Sequence, residues 1–143
     1  MTATPGGEWT AAERAAMKER ADELRAEKGG KKKAEALEDL MSKIEAMPET
    51  ERLLAQHVHT LVTEAGPELE PRTWYGMPAY TKDGKVLCFF QGASKFDSRY
   101  CTFGFQDVAS LDDGVMWPTA FALTSIGPAE QETITELVKR ACR

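Results

Sequence analysis

Residues 73–91 read TWYGMPAYTKDGKVLCFFQ, and this stretch decides the fold. Asp83-Gly84, between Lys82 and Lys85, is a pair that accepts positive φ at both central positions of a two-residue hairpin. The apolar run 86–91 is then the returning strand, and residues 79–81 belong to the outgoing one. Residues 73–75 predict a further short strand before Gly76-Met77-Pro78, where glycine frees the backbone and proline fixes φ.

Downstream, residues 92–98 predict a loop, and residues 99–105 a strand with Cys101, Phe103 and Phe105 on one face. Residues 106–113 predict a short helical turn. Trp117-Pro118 leads into a strand over 120–123. Gly127-Pro128 opens a final helix to about residue 141, acidic at its start and basic at its end, as the helix dipole prefers.

Upstream the period is helical. Leu37, Leu40, Met41, Ile44 and Met47 form the apolar stripe of a helix over 33–46. Pro48 opens the next helix, whose buried side carries Leu53, Leu54, Val58, Leu61, Val62 and Ala65 before Gly66-Pro67 stops it. A first helix over 11–27, with Thr10 as N-cap, has high helix propensity but only a thin apolar face of Trp9, Ala12, Ala16 and Leu24. Gly29-Gly30 and Lys31-Lys32-Lys33 read as a solvated joint that uncouples it. The expected class is α+β: N-terminal helices, an antiparallel meander of about five strands, and a C-terminal helix packed on the sheet. Residues 1–30 are expected to be a tail with an appended, separable polar helix, and residues 31–143 the folded domain.

A chain of 143 residues can bury a core without disulfides or metal. A net charge of −5 disfavours nucleic acid and anionic membrane surfaces. No apolar run reaches the roughly 20 residues that span a bilayer. The first nine residues lack a basic-then-apolar leader pattern. Three widely spaced cysteines, Cys88, Cys101 and Cys142, read as free thiols in a reducing cytosol, so a cytoplasmic location is expected.

Trp74-Tyr75-Gly76-Met77-Pro78-Ala79-Tyr80, followed by Asp83-Gly84-Lys85-Val86 and Phe89-Phe90, resembles the YdhG-like family of small bacterial domains of largely unknown function. The resemblance runs from about residue 37 to 141 and implies the same α+β fold. One relative has been proposed as a frataxin-like iron chaperone, so iron delivery is a further implication. Many relatives carry a histidine soon after the lysine of the central loop; here Lys95 is followed by Phe96, Asp97 and Ser98.

The residues themselves carry several constellations. His57 and His59, two apart on a helix, point about 200° apart and cannot chelate one ion. Glu35, Glu38 and Asp39, with Glu45, Glu49 and Glu51 beyond them, make an acidic helix face where ferrous iron would bind weakly; no other cofactor is implied. No catalytic triad, nucleophile elbow or phosphate loop is present. The aromatic group is the most suggestive. Trp74, Tyr75, Met77, Tyr80, Tyr100 and Trp117 predict an apolar-walled site with Lys95 as its nearest positive charge, suited to a ligand bearing a carboxylate or phosphate. Tyr80 and Lys95 are expected at its rim, outside the centre of the core. Strand 86–90 is apolar on both faces and predicts a cover over the outer one: the first helix, a second subunit or a ligand. The leading expectation is a non-enzymatic binding module, monomer or homodimer, that takes a small molecule or a protein segment; the alternative is an intracellular iron chaperone.

Overall fold

A computed structural model describes residues 8–28 and 33–143. The expected tail, the Gly29-Gly30 joint, Lys31 and Lys32 lie outside the described residues. The chain forms α1 (Ala11–Lys28), α2 (Lys33–Glu45), α3 (Glu49–Ala65), β1 (Glu70–Trp74), β2 (Met77–Lys82), β3 (Lys85–Gln91), a short 3-10 helix (Ala93–Phe96), β4 (Cys101–Phe105), β5 (Ala120–Leu123) and α4 (Pro128–Ala141). The strands form one antiparallel sheet in the order β1-β2-β3-β4-β5. This is the expected α+β meander with a closing helix. Residues 106–113 form turns with no helix. No helix among the described residues is long and apolar enough to cross a membrane.

The Asp-Gly hairpin forms as its chemistry dictates, with Asp83 at φ 52 and Gly84 at φ 79 between the paired Lys82 and Lys85. Gly76-Met77-Pro78 behaves differently from its reading. The turn is Tyr75-Gly76, and Met77 and Pro78 already belong to β2. Pro78 pairs with Thr73 on β1, while the ladder to β3 begins one residue later at Ala79. A residue with no N–H is tolerated at a strand start.

One face of the sheet carries Tyr80, Cys88, Phe90, Cys101, Phe103, Phe105 and Leu123 into a core shared with Leu40 and Ile44 of α2, Leu54, Val58 and Val62 of α3, and Ile134 and Val138 of α4. Two residues of the expected helical stripes, Leu37 and Leu53, stay exposed. The two-faced appearance of β3 has a local cause. The register passes from Tyr80↔Cys88 to Thr81↔Val86, so Leu87 is an inserted bulge residue. A bulge puts two consecutive side chains on one side, and Leu87 and Cys88 are both fully buried. On the outer face Phe89 needs no second subunit. Its ring lies over Gly104 on the paired strand, where a Cβ would come within 2.4 Å of it, and meets Trp74 edge-on with centroids 5.4 Å apart.

A polar pair sits within the inner face. Tyr80, 1% exposed, places its hydroxyl 2.9 Å from His59 Nδ1 on α3. Burial pushes the Tyr80 phenol well above its usual range and pulls His59 down, so the pair is neutral at physiological pH. A depressed histidine favours the neutral folded state, and the unfolded chain binds its proton first, near about pH 6.5. Stability should therefore be full above that pH and fall as pH drops below it. Urea titrations at about pH 7.5 and about pH 5 should show this loss, and a smaller loss in His59→Gln.

Cys88 and Cys101 are buried in the sheet, and Cys142 is half-buried at the end of α4. All three are free; burial raises Cys88 and Cys101 and pushes Cys142 up to about 11, so none is a ready thiolate.

Candidate functional site

The β1–β2 turn is the point where most chemistry converges. Tyr75 at φ 52 and Gly76 at φ 76 occupy the two central positions of a tight hairpin. The turn aims both backbone amides outward, and one carboxylate accepts from both: Tyr75 N–H donates to Glu23 Oε1 at 2.9 Å and Gly76 N–H to Glu23 Oε2 at 2.8 Å. Charge-assisted bonds of this bidentate kind are among the stronger ones in proteins. Arg20, one turn before Glu23, sits 3.3 Å from Glu23 and places its guanidinium 6.0 Å from the Tyr75 ring centroid.

Two lysines complete the site. Lys95 Nζ lies 3.0 Å from Glu19 Oε1, and Lys43 Nζ of α2 lies 3.3 Å from Glu19 Oε2. Gly76 suits the turn through its positive φ, and with no Cβ it lets the Glu19 carboxylate and the Lys95 ammonium close over it. Lys95 is held in place from beneath. Glu51, in the first turn of α3 and 9% exposed, accepts from Ser94 N–H at 2.6 Å and Ser94 Oγ at 2.7 Å, and so pins the 3-10 helix. Lys43, Met47, Glu51, Gly76, Met77 and Lys95 line a hollow of about 170 Å³ beside the turn. A larger groove of about 330 Å³ runs on between α1, α2 and β1, lined by Glu23, Glu27, Asp39, Lys43, Arg72 and Thr73 among others.

The first helix is therefore attached through charge as well as through Ala16, which is fully buried. Thr10 caps it reciprocally with Glu13. Glu19, Glu23 and Glu27 fall four residues apart on one face, and Glu27 pairs with Arg72 of β1 at 3.2 Å.

Of the residues read as lining an aromatic site, Trp74, Tyr75, Met77 and Lys95 lie at or beside this turn. Tyr80 and Trp117 do not join them. Tyr80 alternates onto the inner face and is buried there, and Trp117 packs against the core. Tyr80 is thus a core residue and not a rim residue, because the Met77 start of β2 directs it toward α3. Tyr100 stands exposed before β4, with the Arg99 guanidinium 5.4 Å from its ring centroid. Glu35 and Glu38 are exposed on α2, and Asp39 lines the larger groove. Among the described residues no group of three or more His, Cys, Asp or Glu is placed to hold a metal ion.

Sequence reasoning missed Glu19, Glu23 and Lys43, and read Glu51 only as part of an acidic helix face, where it instead holds Ser94. The four-residue spacing of Glu19, Glu23 and Glu27 was a signal, masked by the ordinary look of a charged helix. No family model, curated protein or solved structure matches the chain.

Proposed function

We propose that this chain is a non-enzymatic binding module whose site reads carboxylates, and that α1 fills the site with its own glutamates when no ligand is bound. The observation that carries this is the Glu23 carboxylate spanning the Tyr75 and Gly76 amides, with Glu19 on Lys95 and Lys43 beside it. Two preset amides and two ammonium groups form a recognition arrangement whatever molecule supplies the oxygens. The hollow next to it suits a small dicarboxylate. Membership of the YdhG-like family and a cytoplasmic location belong to the same proposal; the first rests on Trp74 to Tyr80 and the meander around it.

Energetics supports a displaceable α1. Its glutamates are tethered, so they compete at an effective concentration in the millimolar range, about that of a short linker. The Glu19 pairs with Lys43 and Lys95 are partly solvated and so are screened by salt, while the part-buried Glu23 bonds to the two amides are ones an external carboxylate can replace like for like. An external carboxylate therefore meets a site that is blocked but not sealed, and its apparent affinity is lowered by the fraction of chains with α1 docked.

Calorimetric titration with glutarate, whose carboxylates mimic a glutamate side chain, tests this. The wild-type chain should show little heat. Glu19→Gln/Glu23→Gln should bind glutarate, and adding Lys95→Ala to that double variant should remove the binding. A double variant that folds normally and takes no glutarate makes α1 a structural cap alone.

A further inference from the structure

The two edges of the sheet are built differently. The β1 edge is guarded: it contains Pro71, Arg72 tied to Glu27 at 3.2 Å, and Glu70 tied to Lys33 at 3.0 Å. Proline and charge are the usual protection of an edge strand. The β5 edge has none of these. Residues 119–124 read TAFALT, without charge, proline or bulge.

Hydrogen-bond alternation shows which groups this edge offers. Phe105 N–H donates to Thr119 O at 2.7 Å, so Thr119 turns its backbone toward β4. Residues of an antiparallel pair alternate in this respect. Phe121 and Leu123 therefore also face β4, and the N–H and C=O groups of Ala120 and Ala122 point away from the sheet. Both alanines are exposed, and among the described residues no loop backbone bonds to them.

We propose that β5 is a dimerisation edge, where two copies of this chain pair their β5 strands antiparallel about a two-fold axis at Phe121. Ala120 N–H then donates to Ala122 O of the other copy, and Ala122 N–H to its Ala120 O, which uses every outward group of the strand. Three observations favour a second copy over a foreign strand. The segment is neutral in a chain of net charge −5, so it can meet itself without like charges opposed. Phe121, half-buried beside Phe105 with ring centroids 6.3 Å apart, would meet its own symmetry mate and extend the inner aromatic layer. Val115 and Met116, 102% and 87% exposed, stand on the loop entering β5. An antiparallel copy brings that loop beside the exit of the other β5, toward half-buried Ile126. So short a paired stretch buries little area, so these exposed side chains supply needed contact, and the dimer is of the reversible, concentration-dependent kind.

Sedimentation equilibrium of the full chain over a range of concentrations decides this. The wild type should shift toward twice the protomer mass as concentration rises. Ala122→Lys, which sets two ammonium groups close to the axis, should remain monomeric with an unchanged circular dichroism spectrum. Ala122→Pro, which deletes the outward N–H and leaves the β4 ladder intact, should do the same. A wild type that stays monomeric throughout, or a dimer indifferent to both substitutions, overturns the proposal. The first result would leave this edge to a strand from another protein.

Discussion

Tyr80→Ala should cost about 3–5 kcal/mol of stability, the range for emptying the site of a large aromatic in a packed core. Tyr80 is among the largest fully buried side chains, enclosed by α3 and the β3 strand. Its loss leaves a cavity and also strips His59 Nδ1 of its partner. Small domains are stable by only about 5–15 kcal/mol, so the variant should sit near its unfolding threshold. Tyr80→Phe separates the two contributions. It keeps the ring and loses the hydrogen bond, a change of about 0.5–1.5 kcal/mol. Urea denaturation of both variants measures this. Equal, small losses would place Tyr80 at the surface of a cleft after all.

The second large effect is expected at Gly104. Phe89 rests on it, and a Cβ there would stand 2.4 Å from the ring. Gly104→Val should cost about 1–3 kcal/mol through overpacking and displacement of the ring. Because Trp74 leans on Phe89, tryptophan emission should shift as well. Phe89→Ala in the same chain should relieve part of the cost, so the double-mutant cycle should be strongly non-additive. Additive losses would mean that the Phe89 ring is not seated on Gly104.

Much of this fold was legible because period and turn chemistry agree along the chain. Asp83-Gly84 placed one hairpin, and the stripes Leu40–Ile44 and Val58–Val62 placed two helices on the sheet. The bulge at Leu87 was not legible. It depends on how β2 and β3 register, which a run of apolar residues does not encode, and it is why a strand that looked two-faced needs no outside cover. Tyr80 was misplaced for a related reason. Assigning Met77 and Pro78 to a loop, and not to β2, left its alternation unfixed.

The candidate site was half legible. Gly76, Tyr75 and Lys95 could be read from the turn and the loop. Glu19 and Glu23 could not, since their role arises only when α1 folds back across residues distant in sequence. The reading of a carboxylate ligand near Lys95 came from the sign of that charge; the structure adds that carboxylates of the chain itself stand there.

The decisive measurement follows the backbone amides of Tyr75 and Gly76 by two-dimensional nitrogen–proton resonance spectroscopy as glutarate is added. In Glu19→Gln/Glu23→Gln both amide protons should move downfield and saturate together. In the wild type they should already lie downfield and respond only weakly at the same glutarate concentrations. Amides that stay unmoved in the double variant, with its fold intact, would contradict a carboxylate-binding site at this turn.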